Sequence, residues 1–276
     1  MAGNKKRKYV FRYLLTTLVL LVMIFPFIYL ILHSLADWSQ VDRTLIPTDF
    51  TLRSYVWLFT GGEAGFKMPW IKSFFNSLIV SAGSTFLMML TGVLVAYALA
   101  KLNFRGREFV NNFVLFHMFF PALILLIPTF LLVQRMGLYN TYAGMIIPKA
   151  VSLWAIFMYT NFFKAIPNEF IEAAKMDGAN NLQILFKIVL PMSKSITTVI
   201  FLFLFMERWT ELLWDMIVAR SDEIVTLNVL IFQMFGPYGG YPGPMYAASV
   251  LLTVPIIILF LIFSKKFQEG MQFTLK

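Results

Sequence analysis

Residues 13–32 read YLLTTLVLLVMIFPFIYLIL, a run without a charged residue, preceded by Lys5-Lys6-Arg7-Lys8 and Arg12. At about 1.5 Å per residue a helix of this length spans a hydrocarbon core of roughly 30 Å. A cleaved signal peptide has the same basic start but an apolar core of only about 7–15 residues. The run therefore reads as an uncleaved first membrane span.

Outward from it, five more apolar runs follow at about 74–100, 115–133, 145–163, 196–218 and 246–263. Backbone in lipid must satisfy its own hydrogen bonds, so each is expected to be helical. The alternating segments of about ten residues that mark a transmembrane barrel are absent. The expectation is an all-α membrane protein, one transmembrane domain over residues 1–276, with an outer loop at 34–70 and a tail at 264–276. Composition agrees: 59% of the 276 residues are apolar and 13% charged, against roughly 45–50% and 25% in soluble domains. This excludes a disordered chain, a nucleic-acid module and an ordinary soluble enzyme. The absence of Cys excludes disulfides and thiolate chemistry, and two His are too few for a multi-histidine metal site. No catalytic or metal-binding residue is assigned.

The net charge of +9 is explained by where the charges lie. Fifteen Lys and Arg fall in the N-terminal segment, the 101–110 and 164–195 connectors and the tail. Seven, Lys149 among them, fall on the other side, and Arg208 lies within a span. The sparse side also carries Asp37, Asp42, Asp49 and Glu63. The positive-inside bias then places both termini in the cytoplasm and requires an even number of spans, which six satisfies. Pro26, Pro121, Pro128, Pro148 and Pro255 sit in or near spans and are expected to kink them. Gly92, Ala96 and Ala100 form a stripe of small residues suited to close helix packing. His33 and His117 read as packing residues.

The 164–195 connector is far longer than the 2–8 residues usual between packed helices. Pro167 or Asn168 opens a helix over Glu169-Phe170-Ile171-Glu172-Ala173-Ala174-Lys175-Met176, and Gly178 suits the left-handed position beyond its end. A second helix is expected from Asn180 to about Val189, stopping before Pro191. A short helix, a glycine turn and another short helix thus project into the cytoplasm as a docking element.

Glu172-Ala173-Ala174, three residues, Gly178, nine residues, Ile188, one residue and Leu190-Pro191 resembles the EAA loop of ABC-importer permeases. The maltose-type sugar permeases offer further likenesses. These are Phe75-Asn76-Ser77-Leu78, Ala96-Tyr97-Ala98-Leu99-Ala100-Lys101, Phe104-Arg105-Gly106-Arg107, Gly137-Leu138-Tyr139-Asn140-Thr141-Tyr142 and Trp209-Thr210-Glu211-Leu212-Leu213-Trp214. The resemblance implies that the loop docks in a groove of a cytoplasmic ATPase. Glu172 and Asp177 would meet basic residues there, Ala173 and Ala174 would permit close approach, Gly178 would make the turn, and Leu190-Pro191 would close the motif. It also implies two ATP-binding subunits, a second permease subunit, an extracytoplasmic solute-binding protein and a carbohydrate substrate. The location would be a bacterial or archaeal cytoplasmic (inner) membrane. The residues contain no Gly-x-x-x-x-Gly-Lys-[Ser/Thr] loop, so the chain is not the ATPase. ATP and Mg would be bound by the partner, and no cofactor is expected here. For the tail, lipid anchoring and ATPase contact are both open.

The 196–218 run holds Glu207, Arg208, Glu211 and Asp215, each costing about 2.5–3.5 kcal/mol to bury in a membrane. On one continuous helix Glu207, Glu211 and Asp215 form a stripe, and Arg208 reaches Glu211. With Trp209 and Trp214 beside it, this stripe is expected either to line the translocation path, where rings stack on sugar, or to pair between helices. Arg208 leaves an acidic sugar open. A permease for another solute is one alternative. A proton-coupled transporter is a second, and it would need no long docking loop.

Overall fold

The computed structural model describes residues 2–60, 69–234 and 242–274. Glu63, Lys67 and Lys276 of the charge tally lie outside the described residues. Among those described the chain is helical, with one isolated antiparallel bridge between Ala36 and Phe50. The chain divides into two compact units, residues 1–70 with 231–255 and residues 71–230 with 256–276.

In the first unit α1 (Ala2–Ser34) continues through Pro26, and α2 (Arg53–Thr60) lies in the segment expected to be only an outer loop. The apolar stretch Tyr9–Ser34 buries none of its most hydrophobic window. That surface is suited to lipid or another subunit. The C-terminal end of α1 is anchored instead. His33 is fully buried, its Nδ1 accepts the Asp42 amide at 3.2 Å, and Ser34 Oγ meets Tyr55 Oη at 2.9 Å.

In the second unit α3 (Trp70–Lys101) is the long central helix, with 39% of its apolar window buried. Gly92 faces α7 (Leu153–Ala165): a Cβ there would touch Ala155 Cβ at 3.4 Å and the Tyr159 ring at 3.5 Å. Ala96 beside it is fully buried. The small stripe is therefore the close approach of α3 to α7.

The spans expected at 115–133 and 145–163 are each broken. The first divides into α4 (Arg107–Met118) and α5 (Leu126–Arg135), joined through Pro121 and a short 3-10 turn. The second divides into α6 (Tyr142–Ile146), a 3-10 turn at Ile147–Lys149, and α7, with a bend of 43°. Proline lacks an amide donor, and Pro121 and Pro148 sit where the helices fail. The broken backbone finds other partners. Thr91 Oγ1 of α3 donates to the Ala150 carbonyl at 2.7 Å, and Ser152 Oγ caps α7 by accepting the Ala155 amide.

The connector forms α8 (Asn168–Met176) and α9 (Asn181–Met192). A bend of 86° at Ser193 leads into α10 (Lys194–Trp209). Short α11 (Leu213–Val218), α12 (Leu227–Met234) and the long α13 (Pro242–Thr274) complete the chain. The last continues through Pro255 and takes most of the expected tail into the helix. Among the described residues three helices are long and apolar enough to cross a membrane, or up to six if each bent pair is one span.

Candidate functional site

Two places gather the residues singled out in the sequence. The first is the α8–α9 pair. Gly178 sits between the helices with φ +81°, a conformation that costs other residues roughly 1–2 kcal/mol. Asn180 then caps α9 through a reciprocal box: its side chain accepts the Gln183 amide and its amide donates to Gln183 Oε1, both at 2.9 Å. Contrary to expectation, α9 does not stop before Pro191. It passes through that residue to Met192, with a widened π-turn at Leu185–Val189. A wider turn relieves the clash between a proline ring and the preceding carbonyl.

The two faces of the pair differ. Ile171, Ala174, Ile184, Leu185 and Val189 are buried in one apolar cluster with Tyr159 and Phe163 of α7 and Ile200 and Leu204 of α10. Ile188 and Leu190 pack at its edge. On the other face Glu172, Ala173, Asp177, Gly178 and Pro191 are exposed. Phe170 and Met176 stand out beside them at 50% and 88% exposure. A hollow of about 300 Å³ opens along Asp177, Gly178, Gln183 and Lys187. The consecutive alanines therefore face opposite ways, Ala174 inward and Ala173 outward. Lys101 ties the start of α8 to α3, donating to the Ile166 carbonyl at 2.6 Å and Asn168 Oδ1 at 2.8 Å.

The second place is the end of α10. The expected continuous helix over 196–218 is not formed. α10 stops at Trp209, Thr210 and Glu211 are non-helical, and α11 starts at Leu213. Hence Glu207, Glu211 and Asp215 do not share a helical stripe. The break lets the chain fold back so that Arg208 Nη2 meets Asp215 Oδ1 at 2.9 Å, with both side chains at most 2% exposed. Arg208 Nη1 lies 3.6 Å from Glu211 Oε2, and Lys149 Nζ lies 3.2 Å from the same oxygen. Glu211 Oε1 accepts the Trp214 amide at 3.3 Å and so holds the first turn of α11. Two cations and two anions cancel within the apolar segment. This is the arrangement that makes buried charge tolerable.

Trp209 and Trp214 are each 1% exposed, so neither offers a ring face for stacking on sugar. Trp209 packs against Phe205 and Phe74, and Trp214 Nε1 donates to the Met145 carbonyl at 3.2 Å. Glu207 lies on the exposed face of α10, within electrostatic reach of Lys149, Glu211 and Arg208.

In the sequence Lys149 reads only as one of the outer charges. It joins Glu211 from 62 positions away, with Pro148 before it and the helix break after it as the local signals. Other polar residues pin the segment after α11. Asn76 Nδ2 donates to the Val225 carbonyl at 2.9 Å while Asn76 Oδ1 accepts from Tyr142 Oη at 2.6 Å. Ser77 Oγ accepts the Leu227 amide at 2.7 Å. Asn140 Oδ1 accepts the Arg220 and Ser221 amides at 2.9 Å. Asn76, Ser77, Asn140 and Tyr142 all lie in the stretches that carried the sugar-permease likeness, and their work here is structural. His33 is likewise a packing group, as expected.

Comparison with known proteins bears on this architecture. Residues 88–273 match the family of binding-protein-dependent transport system inner membrane components. The arabinooligosaccharides transport system permease protein AraQ of Halalkalibacterium halodurans is 34% identical over 255 residues, 91% of this chain and 90% of that protein. The inner membrane ABC transporter permease protein YcjP of Escherichia coli is 32% identical over 260 residues, 92% and 91% of the two chains. A chain in the crystal structure of a bacterial ABC transporter involved in import of the acidic polysaccharide alginate superposes with a TM-score of 0.84. It is 26% identical and covers 96% of this chain and 98% of its own. The chain belongs to the binding-protein-dependent transport system inner membrane components, the permease subunits of ABC importers.

Proposed function

We propose that this protein is the permease subunit of an ATP-driven importer for a carbohydrate, working by alternating access. It crosses the cytoplasmic membrane of a bacterium or archaeon six times with both termini inside. It pairs with a second permease subunit and two ATP-binding subunits, and a solute-binding protein delivers the substrate from outside. ATP hydrolysis belongs to the partner. The sugar-permease relatives and the alginate importer support the carbohydrate.

The observation that carries the reading is the two-faced α8–α9 pair. Its inner face is continuous with the packing of α7 and α10, so motion imposed on the pair passes directly to apolar helices of the same unit. Its outer face presents Phe170, Ala173 and Met176 with the anions Glu172 and Asp177. Apolar anchors ringed by charge fit a partner groove with basic edges. Closure of the ATPase pair would then be transmitted to the spans with little loss, because close-packed interiors have low compressibility.

The test is a gentle-detergent pulldown of the tagged chain, followed by ATPase assay of the reconstituted complex. A co-purifying P-loop ATPase and second permease are expected. Gly178→Asp should lower solute-stimulated ATPase by tenfold or more (about 1.4 kcal/mol of coupling) or abolish assembly. A solitary chain that transports in ATP-free proteoliposomes, driven by a proton gradient, would overturn the proposal.

A further inference from the structure

The charges at the end of α10 bear on which carbohydrate is carried, and this inference rests on the importer reading above. A permease for an anionic saccharide needs a cation able to reach it. Arg208, the buried cation of α10, is 2% exposed and is held by Asp215 and Glu211. Lys149 keeps a third of its side chain accessible, yet its ammonium is paired with Glu211 and lies 5.7 Å above the Trp214 ring. Both cations are therefore already matched by carboxylates.

Glu207 is the third carboxylate against these two cations: it lies within electrostatic reach of Lys149, Glu211 and Arg208, and it leaves the group one negative charge in excess. It lies on the exposed stripe of α10 formed by Phe203, Met206, Glu207 and Thr210, spaced at i, i+3, i+4 and i+7. It is 13 residues beyond the start of α10 at Lys194, which places it about 20 Å along the helix axis. A carboxylate at that depth in an apolar segment faces water or a counter-charge rather than lipid tails. The exposed face of α10 thus carries one net negative charge, with the Thr210 hydroxyl one turn on and no matching exposed cation on the same helix stripe.

We propose that Glu207 is a charge-selecting residue on the translocation path and that the solute is an uncharged saccharide. A carboxylate accepts hydrogen bonds from sugar hydroxyls. It repels a uronate across a site of low dielectric constant. By this criterion the chain differs in substrate class from the alginate importer that it resembles in fold.

The natural absence of cysteine gives a direct test in the assembled complex. Thr210→Cys is labelled in proteoliposomes with a cationic and an anionic methanethiosulfonate of similar size. The cationic reagent should react about tenfold faster, and adding Glu207→Gln should bring the ratio to about one. Met206→Cys serves as a second reporter on the same stripe if Thr210→Cys assembles poorly. Equal rates with Glu207 in place, or no labelling by either reagent at either position, would overturn the proposal. In parallel, ATPase stimulation by the binding protein is measured with neutral and uronate oligosaccharides of matched length. Stimulation confined to the neutral set is expected, and stimulation by uronates overturns the solute class. If no saccharide stimulates, the carbohydrate reading fails, while the labelling ratio still reports the charge on the path.

Discussion

The α8–α9 pair and the end of α10 both concentrate charged and polar residues, and they treat them in opposite ways. The pair leaves its outer face unsatisfied: Met176 is 88% exposed beside Asp177, and Phe170 stands out near Glu172. The end of α10 buries its charges and pairs them: Arg208, Asp215, Trp209 and Trp214 are all at most 2% exposed, and Arg208 hydrogen-bonds Asp215 through Nη2. The difference teaches what each region is built to meet. A surface left apolar and charged together is complete only when another macromolecule covers it. A charge inside an apolar segment has no such recourse, because exposure to lipid is costlier than breaking a helix to bring a counter-ion near.

The contrast is broken most severely at Asp215. Replacing Asp215 with Ala leaves the Arg208 guanidinium buried without its closest partner, which costs about 3–5 kcal/mol. Thermal unfolding of the detergent-purified complex should show a large drop or loss of folded protein. The double variant Arg208→Met/Asp215→Leu should recover most of it, because no charge is then left unmatched. A double variant as unstable as the single would show that shape, not charge, dominates there.

Next in size is the pair of adjacent alanines. Ala174→Leu overpacks the cluster shared with α7 and α10 and is expected to cost about 1–3 kcal/mol in stability. Ala173→Leu should change stability by no more than about 0.5 kcal/mol and act instead on association with the ATPase. Thermal shift and co-purification, measured on both variants, separate the two faces. Equal behaviour would erase the distinction.

Asn180→Ala removes the cap of α9 and is expected to cost about 1 kcal/mol, with a matching fall in stimulated ATPase activity. The smallest effect belongs to Lys149→Gln. Its pair with Glu211 is partly accessible, so the expected loss is about 0.5–1 kcal/mol, shrinking in high salt. A loss as large as that at Asp215 would place Lys149 with the buried charges.

Much of the first region was legible in the residues themselves. Pro167, Asn180 and Gly178 are local signals, and a left-handed glycine between two capped helices needs no distant contact to be recognised. The motif spacing pointed to the family for the same reason. The exception is Pro191: a π-turn arises from strain within a packed helix, and no composition rule announces it. The second region is not legible in the residues, because the helical periodicity of the sequence runs on across residues 209–212, where the helix breaks. Nothing in the apolar pattern marks that break. It becomes favourable through partners on other helices: Lys149 for Glu211, the Met145 carbonyl for Trp214, and Phe74 against Trp209.

By itself, then, the sequence determined that the chain is helical and lipid-solvated, where its apolar runs lie, and that a glycine-hinged helix pair follows α7. Each of these depends on composition, period or backbone preference within a dozen residues or so. Only the tertiary structure decided which alanine faces inward, that three apolar runs are broken, that both tryptophans are buried, and that Arg208 is buried against Asp215 while Glu207 stays exposed. Those outcomes turn on partners outside the helical repeat, from Asp215 seven positions beyond Arg208 across a broken helix to Met145, 69 positions before Trp214. Local propensity carries no information about such encounters, and in a dense, low-dielectric interior they outweigh it.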